Sequence, residues 1–192
     1  LSQALITQAA SDALSREQAM SNIVRNARHL ADQLPVPLLL ENIPLFPNLA
    51  HMHVCEPEFI GQVIAETDCD LVLDLAHARC AADVLGYKVP DYLTSLPLER
   101  AVELHVSGPR PLAKIDARRQ RLVRENAASI AHLLAFGEDN LVDAHEEMLE
   151  EDYALLAWVL GRIETKAISL EYFRQPEPLR RQLLRLGEMV GR

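Results

Sequence analysis

The stretch that decides the fold is LVLDLAHARC, residues 71–80. Its apolar run, 71–73, stops at the acid Asp74, and His77 follows one helical turn later. A short continuous apolar run is typical of a buried strand, and the segment after it predicts a helix. A lone acid at such a strand end is commonly a helix cap or an ion-pair partner. Asp74 therefore has two open interpretations, structural residue or functional ligand.

The same alternation of strand and helix continues along the chain. Strands are predicted at 38–42, 70–75, 101–108, 140–145 and 167–173. Helices are predicted at 15–34, 56–67, 76–86, about 114–136, 148–164 and 179–190. Ser15 with Gln18 has the pattern of a capping box, and Gly86 is a helix stop. Strands that are apolar on both faces indicate a parallel sheet covered by helices, so the predicted fold class is α/β.

Five strand–helix units are present, whereas a TIM (β/α)₈ barrel has eight and usually about 250 residues. We expect residues 1–192 to form a single domain that supplies the C-terminal five units of a TIM (β/α)₈-type barrel, with the upstream strands missing. An incomplete barrel has an open sheet edge, which is a liability if it is left bare. We expect further residues, or another chain in an oligomer, to cover it.

Composition and charge exclude several classes of partner. The formal net charge is -9, which repels phosphate backbones, so no nucleic acid is expected; the basic run 118–124 is interpreted as a solvated helix face. No apolar run reaches 18 residues and no signal peptide is recognised, so no membrane association is expected. Three cysteines without CxxC spacing fit reduced thiols, which predicts a cytoplasmic protein.

Each predicted strand carries a possible metal ligand near its C-terminal end. These residues are Glu41, Asp74, His77, His105, Asp143, His145 and Glu171. The C-terminal ends of barrel strands meet at one mouth, where carboxylates stay ionised together only if a cation neutralises them. Mixed Asp, Glu and His ligands suit iron, manganese or zinc better than magnesium alone. The number of ligands exceeds the needs of one tetrahedral ion, so two or more ions are expected.

Other candidates are interpreted as structural or left open. His29 and His132 lie in predicted helices and are interpreted as structural. His51 and His53 form an H-x-H pair that we place in a loop near the mouth, with ligation the less favoured interpretation. Glu103 shares a strand face with His105 and either points into the barrel interior or pairs with an arginine.

These residues resemble those of the multinuclear non-haem iron-dependent oxidative enzymes (MNIO), the family that contains the methanobactin-biosynthesis oxidase. The matching landmarks are LLLENIP (38–44), EPEFIGQVIAETDCDLVLDLAHA (56–78), LPLERAVELHVSG (96–108), LVDAH (141–145) and AISLEYF (167–173). Each motif alone is weak, but the five agree with the family in order and spacing across most of residues 36–175. The resemblance implies a xylose-isomerase-like TIM barrel.

The resemblance also implies a site with two or three iron ions. The implied ligands of one ion, which are also the implied catalytic residues, are Glu41, Asp74, His105 and Glu171, and those of another are His77, Asp143 and His145. Glu41 would bridge two ions. This chain departs from the family pattern at His77, where the family usually has Asn, and between 108 and 141, where its stretch is longer. Two further histidine ligands of the family come from strands upstream of residue 1.

The activity implied by the resemblance is O₂-dependent oxidation of a cysteine, or another residue, in a ribosomally made peptide, often with a partner protein that delivers the peptide. A sugar isomerase or epimerase of the same barrel group stays open; it would use the first four ligands around one Mn²⁺ or Mg²⁺ and would not need Asp143 and His145. A metal-dependent endonuclease of abasic DNA is disfavoured by the acidic charge. A non-catalytic barrel fragment that acts as a scaffold is disfavoured by the intact ligand positions.

Overall fold

The computed structural model describes residues 14–44, 53–131 and 135–191; His51 and His132 lie outside the described residues. Its strands are β1 (Leu39–Glu41), β2 (Asp70–Asp74), β3 (Ala101–Val106), β4 (Gly108–Pro111), β5 (Leu141–Glu146) and β6 (Ala167–Leu170). Its α-helices are α1 (Arg16–Ala31), α2 (Pro57–Thr67), α3 (Leu75–Leu85), α4 (Val89–Thr94), α5 (Ala117–Ile130), α6 (Glu150–Leu160) and α7 (Pro176–Met189).

The main sheet has four parallel strands in the order β1-β2-β3-β6. Its register places Glu41 beside Val72 and Asp74 beside His105, and His105 is in turn beside Ser169. Paired residues of neighbouring strands project from the same face of a sheet, so these side chains share one face. The predicted α/β class with a parallel sheet is confirmed. In the described part of the chain the sheet is open at β1 and β6, and the closed barrel stays a prediction.

The predicted strand at 140–145 exists as β5, but it does not lie in the parallel sheet as expected. It pairs antiparallel with β4, a strand that was not predicted, and the two form a separate two-stranded sheet. Along β5, Val142 and Ala144 are buried whereas Asp143 and His145 are only half-buried. This alternation is the pattern of a strand with one packed face, whereas a central parallel strand is apolar on both faces. β3 therefore pairs directly with β6.

The two-stranded β4–β5 sheet depends on a close backbone approach at Gly108. A Cβ atom at this position would lie 2.5 Å from the carbonyl oxygen of Glu147 and 2.8 Å from that of Glu146. Both obstacles are backbone atoms, which cannot move aside as a flexible side chain can. Glycine is therefore required where β4 begins, immediately after the strand that carries His105.

The hydrophobic core lies between the helices and one face of the parallel sheet. Leu71, Leu73 and Leu104 are fully buried there and belong to one cluster with Phe59 of α2 and Leu156 of α6. The opposite face of β3 carries polar side chains that are only half-buried. The expectation that every strand is buried on both faces is therefore wrong for β3, because charged and imidazole groups retain access to solvent.

Two predicted helix ends are confirmed. The Ser15 hydroxyl accepts a 3.2 Å hydrogen bond from the backbone N–H of Gln18, whose side chain accepts one of 2.9 Å from the Ser15 N–H, so a capping box begins α1. Gly86 ends α3 with φ of 76°, a conformation that glycine adopts without strain. None of the described helices is long and apolar enough to cross a membrane.

Candidate metal centre

Four side chains that can bind a metal meet at the C-terminal edge of the parallel sheet. Glu41 ends β1, Asp74 ends β2, His105 lies near the end of β3 and Glu171 directly follows β6. One ligand atom from each residue lies within 4.8 Å of those of the other three. Parallel strands bring this about because their C-terminal ends share one edge of the sheet. Ligand atoms this close can be drawn around a common ion, whose bonds to N and O are about 2.0–2.2 Å long.

His105 lies between two of these carboxylates. Its Nδ1 is 3.2 Å from Glu41 Oε1 and 3.2 Å from Glu171 Oε1. The hydrogen bonds to Glu171 and Glu41 raise the pKa of His105 to about 10. The same contact with His105, together with His145, holds the pKa of Glu171 well below its usual range. A proton on His105 therefore balances the carboxylates in the absence of a metal, and a bound cation would displace it.

One carboxylate oxygen of Asp74 confirms the structural interpretation, and the other stays available for the ligand role. Its Oδ1 accepts a 2.7 Å hydrogen bond from the backbone N–H of His77 and caps α3. Its Oδ2 is buried and has no hydrogen-bond partner. Burial is the main reason why the pKa of Asp74 is raised to about 6. A buried carboxylate oxygen without a partner is costly, and a cation bound at Oδ2 would remove that cost.

A second group lies directly beside the first. His77 Nε2 is 3.7 Å from Asp143 Oδ2 and 3.8 Å from Asp74 Oδ2. His145 Nδ1 is 3.2 Å from Asp143 Oδ2, and its Nε2 is 2.9 Å from Glu171 Oε2. Asp143 Oδ1 is buried without a hydrogen-bond partner, as Asp74 Oδ2 is. The seven predicted ligands are thus contiguous, and they join at Asp74 and Glu171.

Asn42 orients two of these residues, although the sequence did not single it out as functional. Its side chain donates to the Asp74 carbonyl at 2.9 Å and accepts from the Asp74 N–H at 2.8 Å. The backbone carbonyl of Asn42 accepts a 2.8 Å hydrogen bond from Nδ1 of His77. Because a carbonyl can only accept, Nδ1 carries a proton and Nε2 faces the carboxylates. Burial lowers the pKa of His77, but the charges of Asp74 and Asp143 outweigh it and raise the value to about 9.

Two arginines hold the backbone of β5 around Asp143 and His145. Arg119 of α5 donates to the carbonyls of Asp143 at 2.5 Å and Ala144 at 3.3 Å. Arg174 donates to the Ala144 carbonyl at 3.0 Å. His145 has φ of 50°, which is uncommon for a residue other than glycine, so its backbone needs support from its surroundings. Arg119 belongs to the basic run that we interpreted as a solvated helix face. Its contacts depend on the pairing of β5 with β4, which the sequence did not predict.

Among the residues that the structure describes, no arginine pairs with Glu103, which one of its two interpretations proposed. Its Oε1 accepts a 2.7 Å hydrogen bond from the Ser169 hydroxyl and lies 3.3 Å from Nε2 of His105. Glu103 therefore lies on the same side of the sheet as the candidate metal ligands, on the far side of the imidazole from Glu41 and Glu171.

Two further histidines have ordinary partners. His53 Nδ1 is 3.2 Å from Glu56 Oε1, and Nε2 of His29, in the last turn of α1, is 2.9 Å from Nε2 of Gln33. Both contacts are local along the chain. They agree with the structural interpretation of these residues.

A parallel α/β sheet with carboxylates and imidazoles gathered at its C-terminal edge places the protein among α/β proteins with a candidate metal centre. The family model described as "RiPP precursor modification enzyme MbnB/TglH/ChrH" matches residues 13–184, where RiPP denotes a ribosomally made and modified peptide. The chain belongs to this family. The predicted MNIO membership is thereby confirmed.

Curated relatives match a shorter part of the chain. A UPF0276 protein of Caulobacter vibrioides (strain NA1000 / CB15N) is 32% identical over 92 residues, which are 48% of this chain and 33% of the relative. A UPF0276 protein of Vibrio vulnificus (strain YJ016) is 33% identical over 92 residues, 48% of this chain and 32% of the relative. One of Paraburkholderia phytofirmans is 34% identical over 89 residues, 46% of this chain and 29% of the relative. The matched segment spans about a third of the length of these relatives.

Proposed function

We propose that the chain belongs to a metal-dependent oxidase that modifies a cysteine, or another residue, of a ribosomally made peptide. The observation that carries the metal site is the convergence of Glu41, Asp74, His105 and Glu171, in which Asp74 Oδ2 is buried and unpartnered. Three carboxylates at this distance repel one another and need a positive charge beside them to stay ionised, and a metal ion would supply it in place of the proton on His105. The donor set therefore fits a metal ion, and these four residues would hold it.

We propose a second ion at His77, Asp143 and His145. Its support is the buried Oδ1 of Asp143, which has no hydrogen-bond partner, and Nε2 of His77, which lies 3.7 Å from the other oxygen of that carboxylate. Glu41 Oε1 is 3.2 Å from Nδ1 of His105 and 3.6 Å from Nδ1 of His77. This position between the two groups supports a bridging role for Glu41 and a site for two or three ions.

We propose iron as the metal. Carboxylate and imidazole donors also suit manganese and zinc, so the preference for iron rests on the family resemblance. Bound iron would supply redox chemistry with O₂, which none of these side chains can supply. The residues of this chain would hold and orient the ions, and His105 would release a proton when a metal binds beside Nδ1.

The proposed substrate is a peptide, because the family model describes enzymes that modify peptide precursors. The candidate site is accessible from solvent, since Glu41, His105 and Glu171 keep part of their side chains exposed. The ring of Phe173, 79% exposed, lies with its centroid 5.9 Å from that of His145 and would offer an apolar contact at this opening. A protein that delivers the peptide, and an oligomer that covers the open sheet edge, belong to the same proposal.

A sugar isomerase would use one ion at the first four residues and leave the second group without a task. The contiguity of the second group therefore favours the oxidase. The test is to load the full-length protein anaerobically with Fe(II) and to supply O₂ and a library of cysteine-containing peptides. We expect O₂ uptake with a mass change in a peptide, and neither with Glu41→Gln. Aldose isomerisation with Mn²⁺ or Mg²⁺, without O₂ uptake, would contradict the proposal.

A further inference from the structure

Glu103 lies outside the four-ligand cluster but on the same face of the sheet. It precedes His105 by two positions on β3, so both side chains project from one face. Its carboxylate is 28% exposed, and its Oε1 lies 3.3 Å from His105 Nε2. Ser169, which is paired with His105 across β3 and β6, donates a 2.7 Å hydrogen bond to the same oxygen. Glu103 is thus held from one side by Ser169 and meets the imidazole on the other.

The two nitrogens of His105 face different partners. Nδ1 is 3.2 Å from both Glu41 and Glu171, whereas Nε2 faces Glu103. An ionised carboxylate accepts hydrogen bonds and cannot donate them. Glu103 therefore favours the tautomer with its proton on Nε2, which leaves the lone pair of Nδ1 free on the side of the cluster.

We propose that Glu103 is a positioning residue that fixes the ring of His105 with Nδ1 turned to the metal, and that Ser169 anchors Glu103 for this task. The inference rests on the proposed metal site and deepens it. Carboxylates that accept the second N–H of a metal-binding histidine set the tautomer and orientation of its ring, and their loss typically lowers metal affinity roughly 10- to 100-fold.

The test measures Zn(II) affinity of the full-length protein by competition with a chromophoric chelator. Glu103→Ala should weaken Zn(II) binding roughly 10- to 100-fold. Glu103→Gln should retain much of the affinity, because its amide oxygen can take the same position beside Nε2 and accept a hydrogen bond from it. Ser169→Ala should lie between the two, because Glu103 keeps its charge and loses its anchor. The matched control is Glu99→Ala, which removes an exposed carboxylate four positions earlier and should bind Zn(II) as the native protein does.

A second readout follows the imidazole itself. Long-range ¹H–¹⁵N spectra of the Zn(II)-loaded native protein should show metal on Nδ1 of His105 and a proton on Nε2. Metal on Nε2, or native affinity in Glu103→Ala, would overturn the positioning role alone. If the native protein does not bind Zn(II), both the proposed metal site and this inference are overturned. If circular dichroism shows that Glu103→Ala is unfolded, Ser169→Ala decides the question, and native affinity in that variant counts against the proposal.

Discussion

Asp74 receives the backbone N–H of His77 at 2.7 Å through one carboxylate oxygen, while its other oxygen is buried without a hydrogen-bond partner. The helix cap needs only the first oxygen, and a neutral asparagine caps a helix as well as an aspartate does. The second oxygen takes no part in the cap and lies 3.8 Å from Nε2 of His77, within the candidate site. The helix cap alone therefore does not require a negative charge at this position.

Asp74→Asn should separate these two roles. Asparagine keeps an acceptor for the cap and removes a buried charge, so the free energy of unfolding of the metal-free protein should change by less than about 1 kcal/mol. Metal affinity should fall by more than roughly 10-fold, because the ligand loses its charge. Urea denaturation and Zn(II) competition measure the two quantities.

The control for the cap is Asp116→Ala. Asp116 caps α5 by accepting from the N–H groups of Arg118 and Arg119 at 3.1 and 3.0 Å. This variant should lose about 0.5–2 kcal/mol of stability and keep its metal affinity. Native Zn(II) affinity in Asp74→Asn would show that the Asp74 charge has no part in metal binding.

The metal-free protein should lose stability from His105 as the pH rises from about 6.5 to about 10. The unfolded pKa is near 6.5, whereas hydrogen bonds to Glu171 and Glu41 raise the folded pKa of His105 to about 10. The stabilisation is therefore complete below pH of about 6.5 and is lost as the pH passes through the folded value. The difference in Tm between the native protein and His105→Asn should shrink over this window.

Zn(II) should weaken this pH dependence, because the ion takes the place of the proton. Binding should also release protons, which a weakly buffered titration at pH 7 detects. His29→Asn, at an exposed position of α1, is the control. Its Tm should depend on pH as that of the native protein does. A Tm difference for His105→Asn that stays constant from pH 6 to 10 would disprove the linkage.

Arg119→Ala should affect the second ion more than the first. The variant removes the hydrogen bonds to the carbonyls of Asp143 and Ala144, which hold β5 in place, and does not touch Glu41 or His105. We expect the metal content per chain to fall by about one ion, measured by elemental analysis after anaerobic Fe(II) loading and desalting. Arg118→Ala, the exposed neighbour, should retain the native content. Equal metal content in both variants would contradict this role of Arg119.

Gly108→Ala should destabilise the protein by about 1–3 kcal/mol, since the new Cβ would overlap the backbone oxygens of Glu146 and Glu147. Gly61→Ala is the opposite case: its Cβ would meet nothing within 4 Å, and it lies inside α2. This variant should gain about 0.5–1 kcal/mol from helix propensity. Chemical denaturation of both variants tests the pair, and a neutral Gly108→Ala would show that the close approach is not required.

Local pattern was sufficient for the strands of the parallel sheet and for several helix ends. The runs at 38–42 and 70–75 became β1 and β2, because continuous apolar residues with branched side chains fit a buried strand. The partner of a strand is not a local property, and β5 was assigned to the wrong sheet. Along β5, Val142 and Ala144 alternate with Asp143 and His145, which is the pattern of a strand with one buried face. This alternation is better evidence for the position of the strand than its number of apolar residues. β4 was missed because Pro109 and Pro111 disfavour strand assignment.

The sequence predicted those parts of the candidate site that follow from the residue type and from its position at the end of a strand. The four residues of the first group could be named because the C-terminal ends of parallel strands share an edge of the sheet. Asn42, Arg119 and Glu103 contact other residues of the site through hydrogen bonds and short polar contacts, and such contacts depend on side-chain directions that no spacing rule gives. For Asn42, the available hint in the sequence was its place directly after Glu41 at the end of an apolar run.

The most direct test of the central claim is the metal content of the full-length protein, purified and loaded with Fe(II) under anaerobic conditions. Elemental analysis should find two or three irons per chain in the native protein, and Glu41→Gln should lose iron while its circular dichroism stays native. Zinc alone, no iron after loading, or an unchanged iron content in Glu41→Gln would contradict the account.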